Sequence, residues 1–164
     1  MKTILETLAL AGLLVLAAGS AAAATTVNYI QPDKFSDIPF TPWEREDALK
    51  HITDHFNKLG ESLPPGQDLR IDVLDVDLAG RERPNGFSTD AIRIRERGDW
   101  PRMRLHYAFT EGGRPVADGD ALLSDRNYLN RIGTYPRDER WPAEKQMIDD
   151  WWRAAIQRER AADR

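Results

Sequence analysis

The 164-residue sequence contains no cysteine. Disulfides, thiol catalysis, cysteine-ligated metals and the acylated cysteine of bacterial lipoproteins are therefore excluded. A domain without disulfides has to be held by its core. The chain also lacks a basic surplus: 23 Lys and Arg stand against 27 Asp and Glu, a formal charge of −4. A nucleic-acid partner is not expected from that balance. Beyond residue 24 no long apolar run occurs, so the mature chain should carry no membrane span. Missing too are a G-x-S-x-G elbow, a P-loop, a dinucleotide fingerprint and H-E-x-x-H.

The first residues supply what the rest lacks. Met1 and Lys2 give a positive end, Leu8 to Ala18 an apolar stretch, and Ser20 to Ala24 a run of small residues. This predicts a secretory signal peptide over residues 1–24, cut after Ala24 or one or two residues earlier. The apolar stretch is too short to be a convincing span. A single domain over residues 25–164, periplasmic or secreted, is expected.

Residues 68–80, D-L-R-I-D-V-L-D-V-D-L-A-G, organise that domain. Leu69, Ile71 and Val73 share one parity; Leu74, Val76 and Leu78 share the other. A central strand buried on both faces would explain this, as would a β-bulge near Val73 and Leu74. The bulge is favoured, because it sends Arg70, Asp72, Asp75 and Asp77 outward together. Two-sided burial would hide at least two carboxylates at several kcal/mol each.

Around it, residues 27–30 read as a short strand. Thr41-Pro42 with Glu44 reads as a helix start, and Leu49, Ile52, Phe56 and Leu59 form one stripe that ends at Gly60, a C′ candidate. Residues 81–90, with Pro84 and Asn85-Gly86, read as an exposed loop. Ile92 and Ile94 alternate with arginines as a half-buried strand. Met103, Leu105, Tyr107 and Phe109 face the core on the next. At Gly112-Gly113 a two-residue loop would turn Asp118 and Asp120 inward, whereas a three-residue loop places Ala117, Gly119, Ala121 and Leu123 there. The latter is adopted. Residues 124–141 have no sustained period, which in a compact domain points to function or to a misread element. Pro142 opens a second helix with Met147, Ile148, Trp151, Trp152 and Ala155 inward, fraying from Arg158. The expected fold class is α+β, a two-layer sandwich in the order β-α-β-β-β-β-α. Its sheet of about five strands is mostly antiparallel, with both helices on one face.

Val27-Asn28-Tyr29, the run Leu74 to Gly80, Asp99-Trp100-Pro101-Arg102-Met103, Leu123-Ser124-Asp125 with Asn127-Tyr128, and Glu144-Lys145 with Asp149-Asp150-Trp151 carry a resemblance. On them the chain resembles a bacterial family of secreted proteins, domain of unknown function 3016. The resemblance implies secretion and one small domain. It assigns no catalytic residue.

Candidate chemistry is sparse. His51 and His55 stand at i, i+4, but two ligands are too few for an ordinary zinc site, so no metal is expected. No cofactor is implied either. Asp75 and Asp77 share the outer face about 6.5–7 Å apart, a spacing any D-x-D strand gives. Most tryptophans read as core; Trp100, in a turn before Pro101, is the exception. The turn-defined register sets Arg97 opposite Arg102, Arg95 opposite Arg104 and Arg93 opposite His106, a basic ridge that needs anions from Asp72, Asp75, Asp77, Asp118 and Asp120. The candidate binding residues are therefore Asp75, Asp77, Arg93, Arg95, Trp100, Arg102, Arg104 and His106. The ridge is either a solvated ion network or a grip for an anionic ligand or acidic partner. A non-enzymatic periplasmic binding or accessory module, with a protein or small anionic partner, is the expected function. The alternative is a small periplasmic hydrolase or ligand-binding enzyme using the outer carboxylates and His106.

Overall fold

The structure, a computed structural model, describes residues 23–84, 91–136 and 138–162. The expected signal segment up to residue 22 and the Asn85-Gly86 turn lie outside the described residues. Strand β1 (Thr25–Tyr29) leads through a 3-10 turn (Pro32–Lys34) to helix α1 (Pro42–Gly60). Strands β2 (Gln67–Asp77), β3 (Arg81–Pro84), β4 (Ala91–Ile94), β5 (Arg102–Glu111) and β6 (Arg114–Ser124) follow, then helix α2 (Pro142–Ala162). The main sheet has the order β1-β2-β5-β6, with β1 parallel to β2 and the other pairs antiparallel. Apolar residues of both helices and the inner face of the sheet form one core, so the α+β class with both helices on one face holds.

The bulge in β2 is where the alternation places it. Val73 pairs with Leu105 but Asp75 with Arg104, so Leu74 is the extra residue. Leu69, Ile71, Val73, Val76 and Leu78 are at most 1 % exposed. Leu74, expected among them, is half-buried, because the residue that resets the phase is left out of the ladder. In α1, Thr41 precedes Pro42 as expected, but its hydroxyl bonds the Glu44 carboxylate and makes no backbone cap. Gly60 is not a left-handed C′ residue; it is the last helical position. A β-carbon there would lie 1.8 Å from Thr25 Oγ1, so close approach of α1 to β1 requires the glycine.

The hairpin after β5 reaches the adopted inward set by another route. Gly112 and Gly113, both at positive φ, make a two-residue turn. The register then slips, pairing Thr110 with Pro115 but Phe109 with Ala117. Ala117, Gly119, Ala121 and Leu123 thus oppose Phe109, Tyr107, Leu105 and Met103. In α2, Met147, Ile148, Trp151, Trp152 and Ala155 are buried as expected, and the helix runs to Ala162.

One strand assignment changes. Residues 81–84, expected in a loop, pair with β4 in a separate two-stranded sheet, leaving four strands in the main one. The alternation of residues 92–95 has the expected phase and the opposite polarity. Ile92 and Ile94 are 52 % and 41 % exposed, whereas the Arg93 side chain is 12 % exposed. Arg93 Nη1 donates to Asp37 Oδ2 at 2.7 Å and to the Gly80 carbonyl at 3.0 Å, and its guanidinium lies over the Trp141 ring. An acid, a carbonyl and an aromatic face meet the charge and the Nη1 donors, while Nε and Nη2 are buried without a hydrogen-bond partner among the described residues, Nη2 lying 3.7 Å from Glu82 Oε1.

Candidate functional site

Six of the eight candidate residues gather on or beside the outer sheet face, but the arginine ridge does not form. Because β5 pairs with β2 rather than with residues 93–97, the acidic row stands directly opposite the basic one: Asp72 against His106, Asp75 against Arg104, Asp77 against Arg102. Arg102 Nε donates to Asp77 Oδ2 at 2.9 Å, and His106 Nδ1 lies 2.9 Å from Asp120 Oδ1. Asp75 accepts from the Ser36 backbone N–H and hydroxyl, both at 2.8 Å. Burial alone would raise the Asp72 pKa, but hydrogen bonds from Asn28 and Arg70 hold it below the usual range. Trp100 is flanked by the guanidiniums of Arg102 and Arg126, 5.2 and 5.0 Å from its ring centre. Most of this face is a cross-strand network closed on itself, with Arg104 the residue there that has no hydrogen-bond or ion-pair partner among the described residues. The exposed His106–Asp120 pair contributes about 0–1 kcal/mol, whereas Asp77, expected to face outward into solvent, is buried and held by Arg102.

Arg93 and Arg95 lie elsewhere. Arg95 borders a cleft of about 450 Å³ whose wall is the irregular segment, with Tyr128, Leu129, Arg131, Tyr135 and Pro136 on one side and Pro142, Ala143 and Gln146 of α2 on the other. A second hollow of about 350 Å³ shares Arg95 and is lined by Glu44, Glu82 and Glu139 as well as Arg93 and Arg140. The first volume is within the range of small-molecule sites.

Local bonds, rather than regular structure, hold the segment in place. Asp125 Oδ1 accepts the Asn127 N–H at 3.0 Å, an Asx-type turn. Arg131 Nη1 donates to Asp125 Oδ2 at 2.8 Å and to Asp150 Oδ2 at 2.6 Å, and these carboxylates push the guanidinium pKa up. Gln146 Oε1 accepts from Thr134 N and Oγ1, at 3.0 and 2.6 Å. The Tyr128 hydroxyl donates to the Glu96 carbonyl at 2.9 Å. Among these groups Arg95 is different: it is exposed and has no hydrogen-bond or ion-pair partner among the described residues.

Behind the cleft lies a trio that sequence reasoning missed. His55 Nε2 is 2.8 Å from Asp149 Oδ1, and the Tyr135 hydroxyl donates to Asp149 Oδ2 at 2.7 Å. Burial would raise the Asp149 pKa, but hydrogen bonds from His55 and Tyr135 hold it low; the Tyr135 hydroxyl is pushed up by burial and by Asp149. His51 is not part of the trio; its Nε2 lies 3.6 Å from Asp47 Oδ1. A signal for His55 was present: with Ile52 and Phe56 it completes an i, i+3, i+4 set on the buried side of α1. Below the first turn of α2, Glu144 is 1 % exposed. Its Oε1 accepts the Ala79 N–H at 2.7 Å and its Oε2 has no partner among the described residues. Burial raises its pKa, opposed by the Ala79 bond and by the charges of Arg95 and Arg93.

A family model, "Protein of unknown function (DUF3016)", matches residues 23–154. The chain belongs to this family. No curated protein matches it. Solved structures give faint similarities of overall shape. A PelC dodecamer from Paraburkholderia phytofirmans is 9 % identical, with 80 % of this chain and 82 % of that one covered at a TM-score of 0.34. A Xanthomonas campestris protein of family DUF330 is 12 % identical over 83 % and 81 %, at 0.39. A minor lipoprotein from Acinetobacter baumannii is 13 % identical over 85 % and 91 %, at 0.26. Among the described residues no helix is long and apolar enough to cross a membrane.

Proposed function

We propose that this member of a family of unknown function is an exported, non-enzymatic binding or accessory module, and that it works through the cleft beside Arg95. One observation carries the reading: a guanidinium without a hydrogen-bond or ion-pair partner among the described residues borders a concave site whose other described charged groups are already paired. Free donors in a cleft favour a ligand, because an arriving anion gains charge-assisted bonds without first breaking internal ones. The tripartite N-terminus supports export. The hydrolase reading finds less support, since Asp75 and Asp77 are engaged by Ser36 and Arg102, and His106 faces Asp120.

The test is a two-dimensional amide spectrum of the isotope-labelled mature chain, recorded with and without a filtered bacterial periplasmic extract. Shifts should cluster at residues 125–136 and at Ala143, and Arg95→Ala should remove them. Shifts confined to the outer sheet face would overturn the cleft as the working site.

A further inference from the structure

We infer that the cleft takes a small monoanionic carboxylate with an aromatic or other flat apolar body, an inference that rests on the cleft being the binding site. The argument starts from what its polar groups have left to offer. Both oxygens of Asp125 accept bonds, from Asn127 and Arg131, and Gln146 Oε1 accepts two from Thr134. The hydroxyl protons of Tyr128 and Tyr135 are given to Glu96 and Asp149. The free donors on the side chains are the whole guanidinium of Arg95, and Nε and Nη2 of Arg131, whose bonds to Asp125 and Asp150 both leave from Nη1. A lining with spare donors selects an acceptor.

Charge fixes how many negative charges the ligand brings. Asp125 and Asp150 face Arg131 and Arg153 in a linked set, two carboxylates against two guanidiniums. The buried Glu144 nearby is pushed toward its neutral form. Of the charged side chains described as lining the cleft, Arg95 is the one without an ion-pair partner among the described residues, and one carboxylate neutralises it with the two parallel bonds that a guanidinium fork makes best. A dianion would leave a negative charge unmatched in the site.

Size and surface fix the rest. A bare carboxylate or phosphate would fill a small part of about 450 Å³. Tyr128, Tyr135, Pro136 and Pro142 line the remainder, and such rings give flat apolar faces that gain from covering a ring or branched chain.

Benzoate serves as the probe, titrated into the labelled mature chain. Benzyl alcohol has the same body without the charge, and inorganic phosphate has charge without the body. Saturable shifts at residues 128–136 with benzoate, absent with both controls at equal concentration, are expected. Arg95→Ala should raise the benzoate Kd about tenfold or more, and Arg95→Lys should recover part of the loss, as a charge without the fork. Arg104→Ala, on the other face, should bind as the parent does. The inference is overturned if phosphate matches benzoate, if benzyl alcohol does, or if Arg95→Ala binds benzoate unchanged. Cleft shifts from a periplasmic extract but none from benzoate would reject the ligand class while sparing the cleft. Shifts elsewhere from both would reject the cleft itself.

Discussion

Replacing Glu144 with glutamine should leave the fold intact and change how its stability depends on pH. The carboxyl is 1 % exposed, with one oxygen bonded to the Ala79 N–H and the other without a partner among the described residues. Burial dominates and raises the pKa above the ordinary glutamate value of 4.5; Arg93 and Arg95 oppose it without reversing it. Above pH 4.5 the native state then keeps a proton that the unfolded chain has lost. More protons bound to the native state means stability that falls as pH rises, by at most about 1.4 kcal/mol per pH unit, until the native carboxyl also ionises. The contribution of the neutral acid is complete below the unfolded value and is lost as pH climbs through the folded one. Glutamine keeps an oxygen for Ala79 and cannot ionise. At pH 4.5 the variant should be equal to the parent or weaker by about 1 kcal/mol, because the new amide N–H groups find no acceptor. By pH 7.5 it should be the more stable of the two. Urea titrations followed by tryptophan fluorescence at half-unit steps from pH 4.5 to 8 measure the difference, in which all other titrating groups cancel. Parallel curves for the two proteins would refute the reasoning, since the carboxylate would then be ionised in both states.

Asp149→Ala removes the acceptor shared by His55 and Tyr135 and should destabilise by about 2 kcal/mol near neutral pH. Because the folded Asp149 pKa lies below 3.8, that deficit is full above 3.8 and shrinks as pH falls through the folded value, which urea melts across the acid range would trace. On the outer face, His106→Ala and Asp120→Ala should each change stability by less than about 1 kcal/mol, since the pair is exposed; a larger loss by thermal melting would mean the network is cooperative. If the chain is exported, intact mass should place the mature start at Ala23 or Ala24 rather than Thr25. Ala24 donates to Asp68 at 3.0 Å and accepts from Leu69 at 2.8 Å, bonds that a cut after Ala24 would remove.

The elements legible in the sequence were those where a wrong assignment would have had a large energetic cost. Apolar residues on both parities of residues 69–78 left two arrangements, and the cost of burying carboxylates separated them. The inward set of β6 was decided in the same way, by the alternative of burying Asp118 and Asp120. The turn that achieves it was misread, because two glycines plus a bulge and a three-residue loop deliver the same faces. Period constrains which residues share a side, not the local device that puts them there.

Where two readings cost about the same, the pattern could not choose. Residues 92–95 alternate cleanly, and an isoleucine-in, arginine-out strand looked secure. Yet Asp37, the Gly80 carbonyl and Trp141, all distant in sequence, supply Arg93 with partners that make the inverted polarity stable. Moving that strand out of the main sheet also dissolved the ridge, because Arg95 and Arg104 had been set opposite each other only by assuming that consecutive strands pair. Once β2 takes that place, Asp75 and Asp77 face β5 and the outer surface largely compensates its own charge. Arg95, freed from the sheet, borders the irregular segment that had no period to read. The same absence of regular structure that hid the cleft follows from its construction: Asp125, Tyr128, Arg131, Thr134 and Tyr135 are fixed by bonds to Glu96, Gln146, Asp149 and Asp150, and such bonds impose no spacing that a single sequence displays.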